Sequence, residues 1–418
     1  MVSNQTHHPM TRAILTDIFS AAIAACHPAR VVARALPQRP DRPVLVLAAG
    51  KAASAMAQAV ETAWGPPLDG LVITRHGFDL PLAHLRQVTA GHPIPDADGA
   101  QAAAQMLALA QSTSPDHQVL MLLSGGASSL LAAPAPGLAL ADKIALTRAL
   151  LGAGAPIQDI NCVRRHLSAI KGGRLAASCP APILTLAISD VVGDMPEAIG
   201  SGPTIADPTS IDDAKAVLAR YGIADPGYPW SETPKPSDTR VIRGSYKIIA
   251  SSLLMIETAA GRARALGYRP VILGRDIEGE AQVVAAQHAQ AARMAIDQGQ
   301  KCALISGGEL TVTLGIHAGG SGGPNQEYAL ALALALDGQQ GICALAADSD
   351  GIDGIGQSAG GFIDPTTLAR AGDLGIDPIR ALARHDSGGA LAVLNDLFCP
   401  GPTQTNVNDL RVILVDPD

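Results

Sequence analysis

The chain has 418 residues, enough for two or three domains with large cores, and its 47% hydrophobic and 16% charged content excludes a disordered or fibrous protein. A formal net charge of −8 with only 3% aromatic residues gives neither the basic footprint nor the stacking platforms that nucleic-acid binding needs. The six cysteines are scattered without a CxxC pair, which predicts buried free thiols in a reducing cytoplasm and neither a disulfide framework nor a zinc site.

The first 35 residues lack a basic leader and carry Asp17 within their apolar part, so they read as an amphipathic helix from about Thr11 and not as an export signal. No apolar run reaches the roughly 18 residues of a membrane span. Apolar strand-like runs at Val44–Ala49, Leu71–Thr74, Val119–Leu123 and Ile183–Ser189 then alternate with helical patterns at Ala52–Thr62, Ala100–Gln111 and Ala141–Leu151. This is the order of a largely parallel sheet covered by helices. Gly222–Thr239 collects Pro, Gly, Ser and Asp and reads as a linker or surface excursion. A second series follows: strands near Lys247–Ala250 and Pro270–Leu273, helices near Leu253–Leu266 and Ala281–Ile296, then strands near Cys302–Ile305, Thr311–Leu314, Ile342–Ala346 and Arg411–Val415. The expected architecture is α/β, with two Rossmann-like α/β/α domains over 1–238 and 239–418 and an active-site cleft between them. The final strand is left free to pack on either.

Two apolar runs end in the same tripeptide, Ser124-Gly125-Gly126 and Ser306-Gly307-Gly308. Glycines after a buried strand bring backbone N–H groups close to a ligand, and an anion is the first to consider. In VLVLAAGKAAS, Lys51 stands where a strand gives way to a helix, the ligand-facing edge of an open α/β sheet. Leu45 and Ala52 break the P-loop pattern. Ser124, Ser128 and Ser129 are phosphate-ligand candidates or a capped helix start. Arg164, Arg165, Lys171 and Arg174 lie within about three helical turns and can grip a carboxylate or phosphate, or form a solvated basic face. Asp190 and Asp194 flank a turn after a buried strand, where a carboxylate can take a proton, hold Mg²⁺ through water, or cap the turn.

In the second half, Glu309 follows the second tripeptide, and a glycine loop opens a helix with Asn325 and Glu327 in its first turn. Asp348, Asp350 and Asp353 suit either Mg²⁺-nucleotide or Asp-Gly turns, without the distal Glu of an EF-hand. Gly354–Ala359 matches G-x-G-x-x-A but follows a turn and not a strand, so it is discounted as a dinucleotide fingerprint. His92, His166 and His317 sit near these motifs with no metal-ligand spacing, which favours local hydrogen bonding.

Taken in order, AAGKA (48–52), GHPIPD (91–96), LLSGGASSLL (122–131), RRHLSAIKGGRLA (164–176), SDVVGD (189–194), SGPT (201–204), SGGE (306–309), GGPNQEYALA (322–331), DSDGIDG (348–354) and GPTQTNVNDL (401–410) resemble the glycerate 2-kinase family. That family has an N-terminal DUF4147 region and a C-terminal MOFRL region, and its members are sometimes labelled hydroxypyruvate reductase. The resemblance implies ATP- and Mg²⁺-dependent phosphorylation of D-glycerate to 2-phosphoglycerate, with small-molecule partners only and a homodimer left open. By matching position it implies that Lys51 neutralises the transferring phosphoryl group and that Asp190 orients or deprotonates the C2 hydroxyl. It further implies substrate contacts from Ser124, Arg165, Lys171 and Arg174. Nucleotide contacts would come from Gly125, Gly126, Ser128, Ser129, Gly307, Gly308, Glu309, Asn325 and Glu327, and metal contacts from Asp190, Asp348 and Asp350. The chain departs from the family's GGRNQE at Pro324, so a phosphate-binding role for that arginine is lost or passes to Arg165, Arg174 or Arg275. The competing readings are an NAD(P)H-dependent hydroxypyruvate reductase and a nucleotide-binding regulator without turnover.

Overall fold

The computed structural model of the protein describes residues 7–314, 319–354 and 356–417, which leaves His317 and Ile355 outside the described residues. The chain divides into two compact units, one formed by residues 28–249 and the other by the segment ending at His27 together with the residues from Ala250 onward. The division expected at 238/239 is therefore displaced. The N-terminal helix His7–Cys26 packs on the helix Ser252–Ala265, where Arg262 Nη2 meets Asp17 Oδ2 at 2.5 Å.

The 28–249 unit is built on strands β1 (Val44–Ala49), β2 (Asp69–Arg75), β3 (Arg86–Ala90), β4 (Gln118–Leu123), β5 (Ile183–Ile188) and β6 (Ser245–Ala250). Their order across the sheet is β3-β2-β1-β4-β5-β6, and the pairings β1–β2, β2–β3, β1–β4 and β4–β5 are all parallel. Parallel strands need covering on both faces, and β1 shows why its run is uniformly apolar. Leu45, Leu47 and Ala49 join a core with Ala102, Ala103 and Met106 of the helix Ala97–Gln111, while Val46 and Ala48 on the other face are also fully buried. A second apolar cluster joins the helices Leu140–Gly152, Ile157–His166 and Ile211–Arg220. The Gly222–Thr239 segment does not join the two units. Trp230 packs on that cluster, and Thr233 donates from Oγ1 to Asp207 Oδ2 at 3.1 Å, so the segment is a strap on the 28–249 unit.

The other unit carries β7 (Arg269–Gly274), β8 (Gly279–Glu280), β9 (Cys302–Ser306), β10 (Leu310–Thr311), β11 (Ile342–Asp348), β12 (Gly360–Ile363), β13 (Leu397–Phe398) and β14 (Asp409–Val415). The sheet order is β13-β12-β11-β14-β9-β7, with β8 and β10 forming a separate two-stranded pair. The last strand enters the middle of this sheet and runs antiparallel to both β9 and β11. The pairs β11–β12, β11–β14, β12–β13 and β9–β14 are antiparallel and β7–β9 is parallel, so this sheet is mixed. The Thr311–Leu314 expectation shrinks to the two-residue β10. The helix Pro324–Leu336 is buried over most of its surface beneath this sheet. Among the described residues, no helix is long and apolar enough to cross a membrane.

Candidate active site

In the 28–249 sheet the connections run β1 to β2 to β3 in one direction, then return past β1 to β4 and β5. Loops leaving the carboxyl ends of β1 and β4 therefore diverge to opposite sides and leave a crevice, where open α/β sheets bind ligands. The Gly50-Lys51 turn and the first Ser-Gly-Gly meet there. Lys51 N donates to Gly125 O at 2.8 Å, Ser124 N to Ala49 O at 3.1 Å, and Ala52 N to Ser124 Oγ at 3.0 Å. Thr74 Oγ1, from the end of β2, donates to Gly50 O at 3.1 Å.

This closeness requires glycine. At Gly50, with φ +135°, a Cβ would sit 2.1 Å from Ser124 Oγ. At Gly126, with φ +81°, it would lie 2.9 Å from His92 Cδ2 and 3.3 Å from Lys51 Cγ. The lysine stem, the His92 ring and the Gly126 backbone thus crowd one point. Ser124 is fully buried and its hydroxyl braces the Lys51 turn. Ser128 Oγ lies 2.7 Å from Ser201 Oγ, and Ser129 Oγ donates to Gly126 O at 3.0 Å.

Asp190 leaves the carboxyl end of β5, two strands from β1 in the same parallel sheet. At ~4.8 Å per strand, the roots of Lys51 and Asp190 are roughly 10 Å apart on one edge. Both side chains are half-buried. In the turn that follows, Asp194 takes φ +54° and keeps a buried Oδ1 with no hydrogen-bond partner. An orphaned carboxylate oxygen four residues after Asp190 suits Mg²⁺, a cation usually held by one or two carboxylates plus phosphates and water.

The basic cluster divides by partner. Arg165 is buried against Asp207, with Nε 3.1 Å from Oδ2, and Arg174 donates from Nη2 to Ser231 O and Oγ, both at 2.7 Å. Arg174 faces an open groove of about 860 Å³ along the Ser231–Lys235 strap, which shares no lining residue with the strand-end crevice. Although this groove is the larger, it holds none of the convergent groups described above, so we assign it no chemistry. Lys171 is fully buried and donates from Nζ to Ser128 O at 2.7 Å. It shares a small, partly open cavity of about 170 Å³ with Lys143, Arg148 and Arg164. Burial and the charges of Lys143 and Arg164 hold the Lys171 ammonium well below the usual lysine range, while burial and Arg164 bring Lys143 down to about 7. Lys143 carries no sequence signal, because ALADKIALTRALL reads as an ordinary amphipathic helix with an exposed lysine.

The second Ser-Gly-Gly is built differently. Gly307 N donates to Gly274 O at 2.9 Å, and its carbonyl accepts from Ile277 N and from the buried Arg411. Arg411 also reaches Gly308 O at 3.3 Å, Ser306 Oγ at 3.2 Å and Asp409 Oδ2 at 3.1 Å. Asp353 accepts from the backbone N–H groups of Asn325 and Gln326 at 3.1 and 2.9 Å and so caps the helix Pro324–Leu336. Asn325 Nδ2 bridges Asp353 and Asp409, while Glu327 is buried and accepts from Gln282 Nε2 at 2.8 Å. Asn325, Glu327 and Gly307, expected to hold nucleotide, therefore have polar groups engaged inside the fold; Glu309 is exposed and Gly308 buried. Pro324 occupies the first helical turn, where a missing N–H costs nothing. Arg275 pairs with the adjacent Asp276 at 2.8 Å. Asp348 and Asp350 each give one oxygen to a backbone N–H two residues on. Among the described residues, the cluster of three potential ligand side chains is instead His76, Asp96 and Asp98, near the surface, with Asp96 already capping the helix Ala97–Gln111. His166 is buried and its Nδ1 lies 2.9 Å from Cys162 O, the local role expected of it. Four of the six free cysteines are buried; Cys343 is half-buried and Cys399 exposed.

Residues 14–229 match the family described as Domain of unknown function (DUF4147), and residues 302–409 match the MOFRL family. A protein of Agrobacterium vitis named as a candidate hydroxypyruvate reductase is 45% identical, with 97% of this chain and 94% of that protein covered. The glycerate 2-kinase of Pyrococcus horikoshii is 35% identical, with 97% of each chain covered. The crystal structure of glycerate kinase from Thermotoga maritima superposes with a TM-score of 0.86 at 33% identity, over 97% of this chain and 100% of that one.

Proposed function

Because the chain belongs to the DUF4147/MOFRL family of glycerate 2-kinases, we propose that it transfers the γ-phosphoryl group of ATP to the C2 hydroxyl of D-glycerate, giving 2-phosphoglycerate and ADP. The observation that carries this reading is the Lys51–Gly125 junction at the crevice between β1 and β4. Phosphoryl transfer asks little covalent chemistry of a protein and much positioning and charge neutralisation.

Lys51 brings a positive charge to the phosphoryl group in transit, and the Gly125 and Gly126 backbone offers N–H groups beside it. Asp190, rooted on the same sheet edge, orients the acceptor hydroxyl and takes its proton as the oxygen attacks. Lys171, Ser128 and Ser129 border the acceptor's side of the site. Mg²⁺, held by Asp190 and Asp194, would supply charge neutralisation for the nucleotide phosphates. The free cysteines fit work in the cytoplasm.

The name of the Agrobacterium vitis relative favours a second reading, reduction of hydroxypyruvate by NAD(P)H. The β3-β2-β1-β4-β5-β6 order is also that of dinucleotide-binding sheets. Yet the β1 turn carries one glycine followed by Lys51, where a dinucleotide fingerprint carries a set of glycines closing on a pyrophosphate. One experiment separates the readings. Purified protein is incubated with D-glycerate, ATP and Mg²⁺, the phosphoglycerate isomer is identified by NMR, and hydroxypyruvate with NADH is run alongside. We expect 2-phosphoglycerate and no NADH oxidation; NADH oxidation without phosphate transfer would overturn the proposal.

A further inference from the structure

The small cavity at the Ser128-Ser129 segment is lined by four cationic side chains, Lys143, Arg148, Arg164 and Lys171, together with those two serines. Lys143 is 8% exposed and Lys171 fully buried. Among the described residues, none of these four cations forms an ion pair with an acidic side chain. The two lysines donate to backbone carbonyls, Lys143 Nζ to Ala133 O at 3.5 Å and Lys171 Nζ to Ser128 O at 2.7 Å and Gly200 O at 3.5 Å. Burying like charges without a counter-ion is costly, and a fold that keeps such a set leaves an anion to be supplied from outside.

The size of the cavity selects among anions. At about 170 Å³ it is far below the ~300 Å³ at which drug-sized pockets begin, too small for a nucleotide and suited to a compact acid. Pro93 and Ile94 line it from the segment that carries His92, and Ser128 and Ser129 from the segment that carries Gly126. Its lining thus adjoins, along the chain, the His92 and Gly126 positions that crowd the Lys51 stem. We propose that this cavity seats the carboxylate of the acceptor acid, with Lys143, Arg164 and Lys171 as the residues that select a small hydroxy acid. The assignment rests on the kinase reading for the identity of the acid, but not for the presence of an anion site.

Protonation gives a second signature. Burial and Arg164 hold the Lys143 ammonium down to about 7, and the other charged groups lining the cavity, Arg164, Lys171 and Arg148, are all basic. A bound carboxylate pulls that value back up. Binding above pH 7 is then accompanied by proton uptake at Lys143, and affinity falls as pH rises from about 7 to 9.

The test titrates D-glycerate into the full-length protein without nucleotide, by calorimetry at pH 8 in two buffers of different ionisation enthalpy. The same titrations are made on Lys143→Met and Arg164→Gln, along with turnover kinetics and ADP binding. We expect the Kd or KM for D-glycerate to rise roughly 10- to 100-fold in each variant, as for loss of a charged hydrogen bond. ADP affinity should stay within about twofold, proton uptake should vanish in Lys143→Met, and the ligand-free Lys143→Met protein should melt no lower than the parent. A D-glycerate Kd and KM unchanged in both variants overturn the assignment, as does a selective loss of ADP affinity. If the parent binds D-glycerate through these residues but makes no 2-phosphoglycerate, the kinase reading falls and the anion site stands. If it makes 2-phosphoglycerate with a KM indifferent to both substitutions, the anion site falls and the kinase reading stands.

Discussion

Lys51 and Asp190 hold opposite charges at the carboxyl ends of strands two positions apart, and their half-buried side chains contribute little to the core. Replacing either should leave folding intact while removing a group that acts on charge developing during transfer. We expect Lys51→Ala and Asp190→Asn each to lower kcat for 2-phosphoglycerate formation by roughly 10²- to 10⁴-fold. Melting temperatures should stay within a few degrees of the parent; a variant that keeps near-parental kcat removes its residue from the mechanism. These two positions were legible because each follows an apolar run at a strand-to-turn transition, where side chains reach the ligand edge. Lys143 was not, because its neighbours in the helix Leu140–Gly152 give no hint that tertiary packing buries an ammonium.

The two Ser-Gly-Gly tripeptides show why an element's setting decides what its residues do. The first ends a central strand of a parallel sheet and opens on a crevice. The second ends β9 beside the antiparallel β14, whose Arg411 takes up its carbonyls. The helix Pro324–Leu336, read as a phosphate-facing helix start, is capped by Asp353. Burial, and then the charge of Asp409, raise the Asp353 carboxyl to about 7, against an ordinary value of 3.8. The folded protein therefore keeps this proton over a range where the unfolded chain has lost it. The stabilisation is full below about pH 4, declines as pH rises and is gone above about 7, a change of at most about 4 kcal/mol. Urea denaturation of the parent and Asp353→Asn at pH 5 and pH 8 checks this. The variant should show a flatter pH dependence than the parent; equal slopes would exclude Asp353 as the titrating group.

At the scale of the whole molecule, one compact unit is continuous in sequence and the other is not. The helix His7–Cys26 belongs with residues from Ala250 onward. Besides the Arg262–Asp17 pair, Arg12 Nη2 lies 3.4 Å from Asp364 Oδ2 and also meets Asp396. A fragment of residues 28–249 retains β1 to β5 with most of β6 and should unfold cooperatively when followed by circular dichroism. A fragment of residues 1–238 loses β6 and carries a helix without its partners, so it should be soluble only poorly or melt without a sharp transition. The opposite ranking would mean that the N-terminal helix is dispensable to its unit.

Local pattern was sufficient for what depends on neighbours along the chain: the α/β class, most strand positions, the turns bearing Lys51 and Asp190, and motifs ordered closely enough to reveal the family. The short β3 and β12, the central place of β14 and the attachment of the first helix depend on partners tens to hundreds of residues away. The same holds for the conversion of one glycine turn into a crevice and the other into a packed corner. It holds also for the gathering of Lys143, Arg164 and Lys171 around one small cavity. Burial and charge proximity are properties of three-dimensional packing, and no periodicity along a single chain records which distant side chain will exclude the water from a lysine.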